Sequence, residues 1–311
     1  MAGARKYIVN DNFFDAIDTE SKAYWLGFIY ADGCVTTHKN SNSKILEIGL
    51  QLSDKDHLEK FKQDIETSYR ITEKKNSCRI SIVSEKIFND LNKYGIVARK
   101  SNSIKPPRKD MIPEHLEHHF IRGIFDGDGG FTLGDKYLTF AINFCGTKET
   151  CEYILDYFNL NVAINGKKGT NENFRQLRIK GNVQSLQIAN KLYEDATVYL
   201  DRKYDQYTQL QQLNDVQNLI DEISKLEFDI KKLEMTRLLK SGLTGKEIAS
   251  IYECGETNLT RYTKEYRNKE RLEKEKIVLD LFNNGITNKS EIHRQTGFSR
   301  DYIRKVLKQV N

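Results

Sequence analysis

The sequence predicts an α+β protein made of two similar halves and followed by an all-α tail. Two segments with the same pattern, residues 25–33 (WLGFIYADG) and 121–129 (IRGIFDGDG), indicate a duplication whose final aspartates lie 96 residues apart. That spacing is about the length of one small domain. Alternating apolar and polar residues follow each segment and predict strands, whereas beyond residue 205 only helical periodicity remains.

Each repeated segment is predicted to be a helix with small residues on one face. Gly27 and Ala31 lie four residues apart in the first segment, as do Gly123 and Gly127 in the second. Small residues at this spacing let two helix backbones approach closely. Because glycine inside a helix costs roughly 0.5–1 kcal/mol relative to alanine, we expect these pairs to serve the packing of the two helices against each other.

An aspartate ends each of these helices. Asp32 and Asp128 are followed by Gly33 and Gly129, which suit helix C-caps. A helix C-terminus carries partial negative charge, and two nearby carboxylates repel, so a cation is needed to make the arrangement favourable. Mg²⁺ prefers such oxygen ligands. The matched pair favours a metal site, although either Asp-Gly alone also fits a helix cap that opens a turn.

The remaining elements of the two halves occur in the same order. In residues 44–52 every second residue is apolar, which predicts a strand. The first half continues with helices at 54–67 and 85–94 and strands at 69–75 and 78–83. The second half has strands at 130–133, 136–145, 161–167 and 174–180 and helices at 147–158 and 182–195. Residues 101–113, which contain all three prolines, are predicted to join the halves.

Helical spacing continues in the tail. Apolar residues recur between Leu213 and Leu233, which predicts one long amphipathic helix that spaces or docks the rest of the tail, with a coiled-coil dimer as the alternative. The predicted boundaries are 1–105 and 106–210 for the two halves, 211–235 for the linking helix and 236–311 for the remaining tail.

Two helix-turn-helix candidates lie in the tail. The second joins residues 289–296 to 300–307, with Gly297 in the turn and Ser299 as the helix cap. The first, within residues 247–262, has Glu253 where a turn glycine is expected. The residues of the second candidate that we expect to contact DNA are Ser299, Arg300, Tyr302 and Arg304.

Composition sets the class of protein. A net charge of +5 is compatible with nucleic-acid binding without requiring it. Five cysteines show neither C-x-x-C nor metal-ligand spacing, which favours reduced thiols. No run approaches the roughly 20 apolar residues of a membrane span, and no signal peptide is evident. We therefore expect a monomer in the cytoplasm of a bacterial or phage-infected cell, with no membrane contact.

The paired segments resemble the motifs of the LAGLIDADG homing endonucleases, in the monomeric form with two motifs in one chain, over residues 20–210. The resemblance implies two αββαββα halves that form a DNA-binding saddle, with Asp32 and Asp128 binding the catalytic Mg²⁺ or Mn²⁺. The sequence departs from the family pattern without losing either carboxylate, at Trp25, Tyr30, Ile121 and Arg122. Asp126 is an additional acid, which we interpret as supporting the metal ligands or as solvated.

Polar residues of two predicted strands are candidates for DNA contact. They alternate with apolar residues, and Arg and Gln match the hydrogen-bonding groups of base edges in a major groove. A solvated sheet face is the alternative. The candidates are Arg79, Ser81, Gln176, Arg178 and Lys180.

The resemblance also implies supporting catalytic residues. Gln51 and Asn143 lie on the polar faces of corresponding strands, where the family places a residue that orders water. Lys100 and Lys203 follow the last helix of each half and are similar to the basic residue that approaches the scissile phosphate. Such a lysine stabilises developing negative charge, although simple phosphate contact or solvent exposure fits these two lysines as well.

These expectations favour a site-specific endonuclease that cuts both DNA strands with divalent metal, and the family resemblance implies that it leaves short 3′ overhangs. The alternatives are a DNA-binding regulator that keeps the fold without catalysis and an RNA-binding intron maturase. An intein is disfavoured because Met1 opens the chain and Val310 precedes the final Asn311, so the splice-junction Cys and His-Asn are missing.

Overall fold

The computed structural model describes residues 7–98, 104–134, 139–166 and 173–309. The chain divides into two compact units, Met1–Gln217 and Asn218–Asn311. In the described residues no helix is both long enough and apolar enough to cross a membrane.

The first half of the first unit has the order αββαββα. Its elements are α1 (Glu20–Asp32), β1 (Gly33–Thr37), β2 (Lys44–Gln51), α2 (Lys55–Asp64), β3 (Thr72–Lys74), β4 (Ser77–Val83) and α3 (Glu85–Lys93), with a 3₁₀ turn at Leu52–Asp54. The strands form an antiparallel sheet of order β1-β2-β4-β3. Thr19 and Ser84 cap α1 and α3 through their side-chain oxygens.

The second half repeats this order. Its elements are α4 (Glu117–Asp128), β5 (Gly130–Gly134), β6 (Thr139–Gly146), α5 (Lys148–Tyr157), β7 (Ile164–Gly166), β8 (Arg175–Lys180) and α6 (Asn182–Tyr193), preceded by a 3₁₀ turn at Glu114–Leu116. The sheet order is β5-β6-β8-β7, again antiparallel. The predicted two-half α+β fold is therefore confirmed.

One hydrophobic core serves both halves. It contains most of α1 and α4, together with the apolar faces of the two sheets, such as Leu46 and Ile48 in β2 and Leu177 and Ile179 in β8. Residues 104–113 form neither helix nor strand, but Ile104 and Ile112 are buried in the same core. This part of the predicted linker is thus packed against the halves that it joins.

The tail is all α-helical, as predicted. The helix α7 (Asp201–Lys240) starts in the first unit and continues into the second, followed by α8 (Gly245–Ile251), α9 (Glu256–Asn283), α10 (Lys289–Thr296) and α11 (Arg300–Leu307). In the second unit Met235, Ile248 and Leu259 form one small core. A second small core contains Val278, Ile292 and Ile303.

Two strands are shorter than predicted. The sequence pattern predicts strands at 69–75 and 161–167, whereas β3 and β7 have three residues each. Both are edge strands that pair with one neighbour only, β4 or β8. An edge strand is held by hydrogen bonds from one side only, so its ends are less well fixed than those of a central strand.

Candidate functional site

The helices α1 and α4 pack against each other through glycine. A Cβ atom added to Gly27 would lie 1.9 Å from the carbonyl oxygen of Phe120, and one added to Gly123 would lie 2.1 Å from that of Tyr24. A Cβ atom on Gly127 would lie 2.4 Å from the Cβ atom of Ala31. The two backbones are therefore in direct contact, and three of the four small residues that we singled out leave no room for a side chain.

Asp32 and Asp128 are the exposed ends of these two buried helices. The Cγ atom of Asp32 lies 3.6 Å from the position of a Cβ atom on Gly127, the residue before Asp128. Asp128 also lines a cavity of about 240 Å³ together with Ala31 of the opposite helix. The helix contact thus brings the two carboxylates to neighbouring positions.

The two glycines that end these helices differ from the usual left-handed cap. Gly33 (φ −77°, ψ 159°) and Gly129 (φ −96°, ψ −172°) are both extended, so the chain passes directly from helix into strand. A Cβ atom there would lie 2.8 Å from the Ile29 carbonyl oxygen or 2.7 Å from that of Phe125. Close approach to the preceding helical turn, rather than a positive φ, is the reason that glycine fits.

Lys203 lies at the C-terminal end of α4. Its Nζ atom donates hydrogen bonds to the carbonyl oxygens of Phe125 (2.5 Å), Asp126 (2.7 Å) and Gly129 (2.8 Å). Burial lowers the pKa of Lys203 to about 8, although the negative charges of Asp126, Asp32 and Asp128 act in the opposite direction. The ammonium group therefore offsets the partial negative charge of the helix end that holds Asp128.

Lys203 is buried and its Nζ atom is directed at the backbone, so direct phosphate contact would need its side chain to move. The corresponding candidate of the first half, Lys100, lies outside the described residues.

Asp126 is fully buried, so of our two interpretations, an acid that supports the metal ligands or a solvated acid, the second is wrong. Its carboxylate accepts hydrogen bonds of 2.8 Å from the hydroxyls of Tyr24 and Tyr193 and from the backbone N–H of Leu200. Burial raises the pKa of Asp126 above its ordinary value. Because Tyr24 belongs to α1 and Leu200 lies three residues before Lys203, this acid ties together both helices and the segment that carries the lysine.

Tyr30 occupies the position in α1 that Asp126 occupies in α4, 96 residues later. It is also buried, and its hydroxyl lies 2.6 Å from that of Thr150 in α5. The tyrosine that stands in place of an acid at this position thus has a hydrogen-bonding partner in the other half.

Arg122, another departure from the family pattern, is fully buried and was not predicted to matter. Its guanidinium donates to the Leu192 and Val198 carbonyl oxygens and forms a 2.6 Å ion pair with Glu20 of α1. Apart from His119, three residues before it, the hydrogen-bonding partners of Arg122 lie about 70 to 100 residues away along the chain, so no local sequence signal identifies this role.

The strand register corrects the pairing of Gln51 with Asn143. Asn143 lies opposite Gly130, two residues after Asp128, and Glu47 lies opposite Cys34, two residues after Asp32. Glu47 is therefore the counterpart of Asn143, whereas Gln51 ends β2 and is exposed. The 96-residue offset between the aspartates leads from Asn143 to Glu47, so the sequence contained this signal.

Asn143 has an unusual hydrogen-bonding state. Its Nδ2 atom donates to the Thr132 hydroxyl (2.8 Å) and the Gly130 carbonyl (3.3 Å). Its Oδ1 atom is buried and has no hydrogen-bond partner among the described residues. A buried amide oxygen without a donor is costly, so this atom is available to a water molecule, a metal ion or a ligand beside Gly130.

The predicted DNA-contacting residues lie on the sheet faces opposite the core. In the first half, Arg79 (3.3 Å) and Ser81 (3.1 Å) both donate to the Glu47 carboxylate. In the second half, Arg178 and Lys180 are exposed, and Gln176 is half-buried. Glu47 thus partly neutralises the positive charge of Arg79 in the first half. In the second half the uncharged Asn143 takes the position of Glu47, so Arg178 and Lys180 are not neutralised in this way.

The second helix-turn-helix candidate has the expected local geometry. Gly297 is left-handed (φ 72°) after α10, and the Ser299 hydroxyl accepts a hydrogen bond from the Tyr302 N–H at the start of α11. Arg300 and Arg304 are exposed, and Arg304 pairs with Asp301. Tyr302 instead packs against Phe298 and donates to the Arg271 carbonyl.

The first candidate also forms a turn. Glu253 adopts a left-handed conformation (φ 47°) between α8 and α9, at the position where glycine is expected. The turn therefore forms, with backbone strain at that residue.

At the paired helix ends the protein supplies only some of the ligands that a divalent metal needs. Among the described residues no cluster of three or more His, Cys, Asp or Glu side chains is placed to hold a metal ion. Asp32 and Asp128 offer hard oxygen donors. Since the Gly129 carbonyl already accepts from Lys203, it keeps one lone pair for a metal. The donor set fits Mg²⁺ or Mn²⁺ with the remaining positions left to water and phosphate oxygens.

Neither a family model nor a curated protein matches this sequence. Solved structures similar to it include the LAGLIDADG meganuclease I-AabMI bound to uncleaved DNA, at 15% identity and a TM-score of 0.47, covering 64% of this chain and 91% of that one. The homing endonuclease I-GzeII in complex with its DNA target has 15% identity and a TM-score of 0.47, covering 68% and 93%. I-SmaMI, bound to uncleaved DNA in the presence of calcium ions, has 14% identity and a TM-score of 0.46, covering 66% and 96%. Two of these three structures are of LAGLIDADG endonucleases.

Proposed function

We propose that the protein is a site-specific DNA endonuclease that hydrolyses one phosphodiester bond in each strand. The observation that carries this proposal is the pairing of Asp32 and Asp128, two exposed carboxylates at the ends of helices whose backbones touch. Two acids held side by side can act on two phosphates that approach each other across a minor groove. By the resemblance to the LAGLIDADG family, the products carry short 3′ overhangs.

Asp32 and Asp128 are the residues that would hold a divalent metal, Mg²⁺ or Mn²⁺, with the carbonyl groups of Gly33 and Gly129 as additional donors. When bound, such a cation supplies Lewis-acid stabilisation of the scissile phosphate and of the leaving 3′ oxygen. The exposure of both carboxylates leaves the DNA side of the site open to phosphate oxygens and water.

Lys203 supplies a fixed positive charge on the protein side of the site. Its three hydrogen bonds to backbone carbonyls hold the ammonium group at the end of α4. That charge weakens the repulsion between Asp128 and the helix dipole. It also stabilises negative charge that develops on a phosphate bound beside Asp128, because a preoriented charge needs no reorganisation during the reaction.

Asn143 and Glu47 occupy equivalent positions near the two aspartates and would orient the attacking water. The Asn143 Oδ1 atom, buried and without a donor among the described residues, can accept a hydrogen bond from that water. Glu47 would accept from water in the same way with the carboxylate oxygen that Arg79 and Ser81 leave open, since both donate to Oε2.

The sheet faces and the tail would provide sequence recognition. Arg79, Arg178 and Lys180 are exposed enough to reach a major groove, and Arg can bind guanine through two hydrogen bonds. Residues 236–311 would add contacts to flanking DNA, and 211–235 would link them to the catalytic halves. Ser299, Arg300 and Arg304 are the tail residues proposed to contact that DNA, whereas Tyr302 is needed for packing.

A selection for cleaved sites tests this proposal. The protein is incubated with a random double-stranded DNA library and Mg²⁺, and the ends of the cleaved molecules are sequenced. We expect one preferred site cut in both strands with 3′ overhangs, and no cutting when a chelator removes the metal. Sites that are bound but never cut would favour a regulator, and selective binding of intron RNA without DNA cleavage would favour a maturase; either result would overturn the proposal.

A further inference from the structure

A row of apolar side chains lies exposed along the part of α7 that belongs to the second unit. Each of the six side chains is between 44% and 71% exposed. They are Leu219, Ile220, Ile223, Leu226, Ile230 and Leu233, and we call this row the apolar seam. Large aliphatic side chains are rarely left contiguous on a surface unless a partner covers them.

The spacing of the seam is that of a coiled coil. Ile223 and Ile230 lie seven residues apart and occupy the a positions, and Leu219, Leu226 and Leu233 occupy the d positions at the same interval. β-branched residues at a combined with Leu at d favour two-stranded coiled coils. The seam therefore fits one partner helix.

The helix α9 of the same unit contacts a different face of α7. The rings of Phe228 and Tyr262 lie 4.7 Å apart, and Lys232 forms a 2.7 Å ion pair with Glu265. Met235 is buried with the small core of that unit. Since Phe228 and Met235 occupy the f position, opposite the seam, α9 leaves the seam available.

The charges beside the seam decide between the possible partners. The g positions hold Glu222 and Asp229. Ile220 occupies the first e position, and the next two e positions along the chain hold Glu227 and Glu234. In a parallel pair of two copies, Glu222 would face Glu227 and Asp229 would face Glu234, and in an antiparallel pair acids would again face acids. Every orientation of a homodimer thus places like charges together, which is destabilising.

We propose that the apolar seam binds an amphipathic helix of another protein, one with aliphatic a and d residues and with Lys or Arg at its e and g positions. Such a helix would cover the apolar side chains and would pair basic residues with Glu222, Glu227 and Asp229, whereas Glu234 already pairs with Arg237 of α7. The same acids would repel DNA phosphates, which disfavours DNA as the occupant of the seam. This inference does not depend on the proposed endonuclease activity.

Binding of two designed peptides to the full-length protein tests the proposal. Both are labelled helices of roughly four heptads with Ile at a and Leu at d; one has Lys at all e and g positions and the other has Glu. We expect fluorescence anisotropy to give a Kd at least about tenfold lower for the Lys peptide, and sedimentation to show the protein alone as a monomer. Failure to bind the Lys peptide, equal binding of both peptides, or self-association of the protein through the seam would overturn the proposal.

Variants identify the surface that binds. Leu226→Gln combined with Ile230→Gln should abolish binding of the Lys peptide, whereas Ser224→Gln combined with Lys231→Gln, exposed positions on the same helix, should leave it unchanged. A triple change of Glu222, Glu227 and Asp229 to Lys should reverse the preference so that the Glu peptide binds more tightly. Circular dichroism checks that each variant keeps its helices; a folded triple variant that still prefers the Lys peptide would contradict the proposed charge pairing.

Discussion

Replacing Gly27 with alanine should destabilise the first unit because the contact between α1 and α4 has no room for a methyl group. The added Cβ atom would lie 1.9 Å from the Phe120 carbonyl oxygen, whereas ordinary contacts begin near 3.4 Å. The helices must therefore separate by about 1.5 Å at their crossing. The obstructing atoms, the carbonyl group of Phe120 and the amide nitrogen of Ile124, are backbone atoms of α4, so no side-chain rotation can relieve the overlap.

The magnitude is the balance of two opposing terms. Overpacking a tight core costs typically about 1–3 kcal/mol, and the rigid backbone contact places this case at the upper end. The helix preference of alanine over glycine returns about 1 kcal/mol. We therefore expect Gly27→Ala to lower the free energy of unfolding by about 2 kcal/mol. Gly49→Ala is the control, since its nearest neighbour would lie 3.9 Å away, and its effect should stay within about 0.5 kcal/mol.

The assay is urea unfolding followed by tryptophan fluorescence. Trp25, the single tryptophan of the chain, is buried in α1 and reports on the unit that contains the contact. The separation of the helices should also move Asp32 away from Asp128 and reduce DNA cleavage. If Gly27→Ala unfolds at the same urea concentration as the native protein, the backbone contact is not as close as described and the reasoning fails.

Three other predictions concern individual side chains. Burial lowers the pKa of His57 from 6.5 to about 3, so the unfolded chain binds a proton at this residue more readily than the folded protein does. As the pH falls from 6.5 toward 3, the free energy of unfolding should therefore decrease by up to about 1.4 kcal/mol per pH unit, whereas above pH 6.5 this contribution is fully present. His57→Gln should remove this share of the pH dependence in urea titrations. Lys203→Met removes three hydrogen bonds to carbonyl groups, of which only the Phe125 carbonyl is known to keep another donor, the Gly129 N–H. It should destabilise the first unit by about 1–3 kcal/mol, which an unchanged urea midpoint would contradict. Glu253→Gly should relieve the strain of a left-handed residue. The free energy of local opening that amide exchange reports for α8 should therefore rise by about 1 kcal/mol. Ser250→Gly, within that helix, should lower the same free energy.

The sequence was sufficient where the determining contacts are local or repeated. The small residues at Gly27 and Gly123, and the aspartates that follow them, identify both central helices and their ends. Period-two alternation predicts β2 and β8, because each has one buried face. The order of elements in both halves follows from these signals alone.

The sequence was insufficient where a role depends on partners far along the chain. Asp126 is buried because Tyr24, Tyr193 and Leu200 satisfy it, and these lie 102, 67 and 74 residues away. The 96-residue offset relates Glu47 to Asn143, but the hydrogen bonds that Glu47 accepts from Arg79 and Ser81 depend on strand register, which the polar pattern of either strand does not set. The long helix α7 could be predicted, but not which of its faces α9 would cover.

Cleavage of the selected DNA site by Asp32→Asn and Asp128→Asn variants tests the central claim most directly. Asparagine keeps the size of the side chain and removes its charge, so each variant should fold and bind the site while losing divalent metal. Binding is measured by electrophoretic mobility shift and cutting by denaturing gels that resolve each strand. We expect either substitution to abolish double-strand cleavage with DNA affinity retained. A folded variant that still cuts both strands at the native rate would contradict the account.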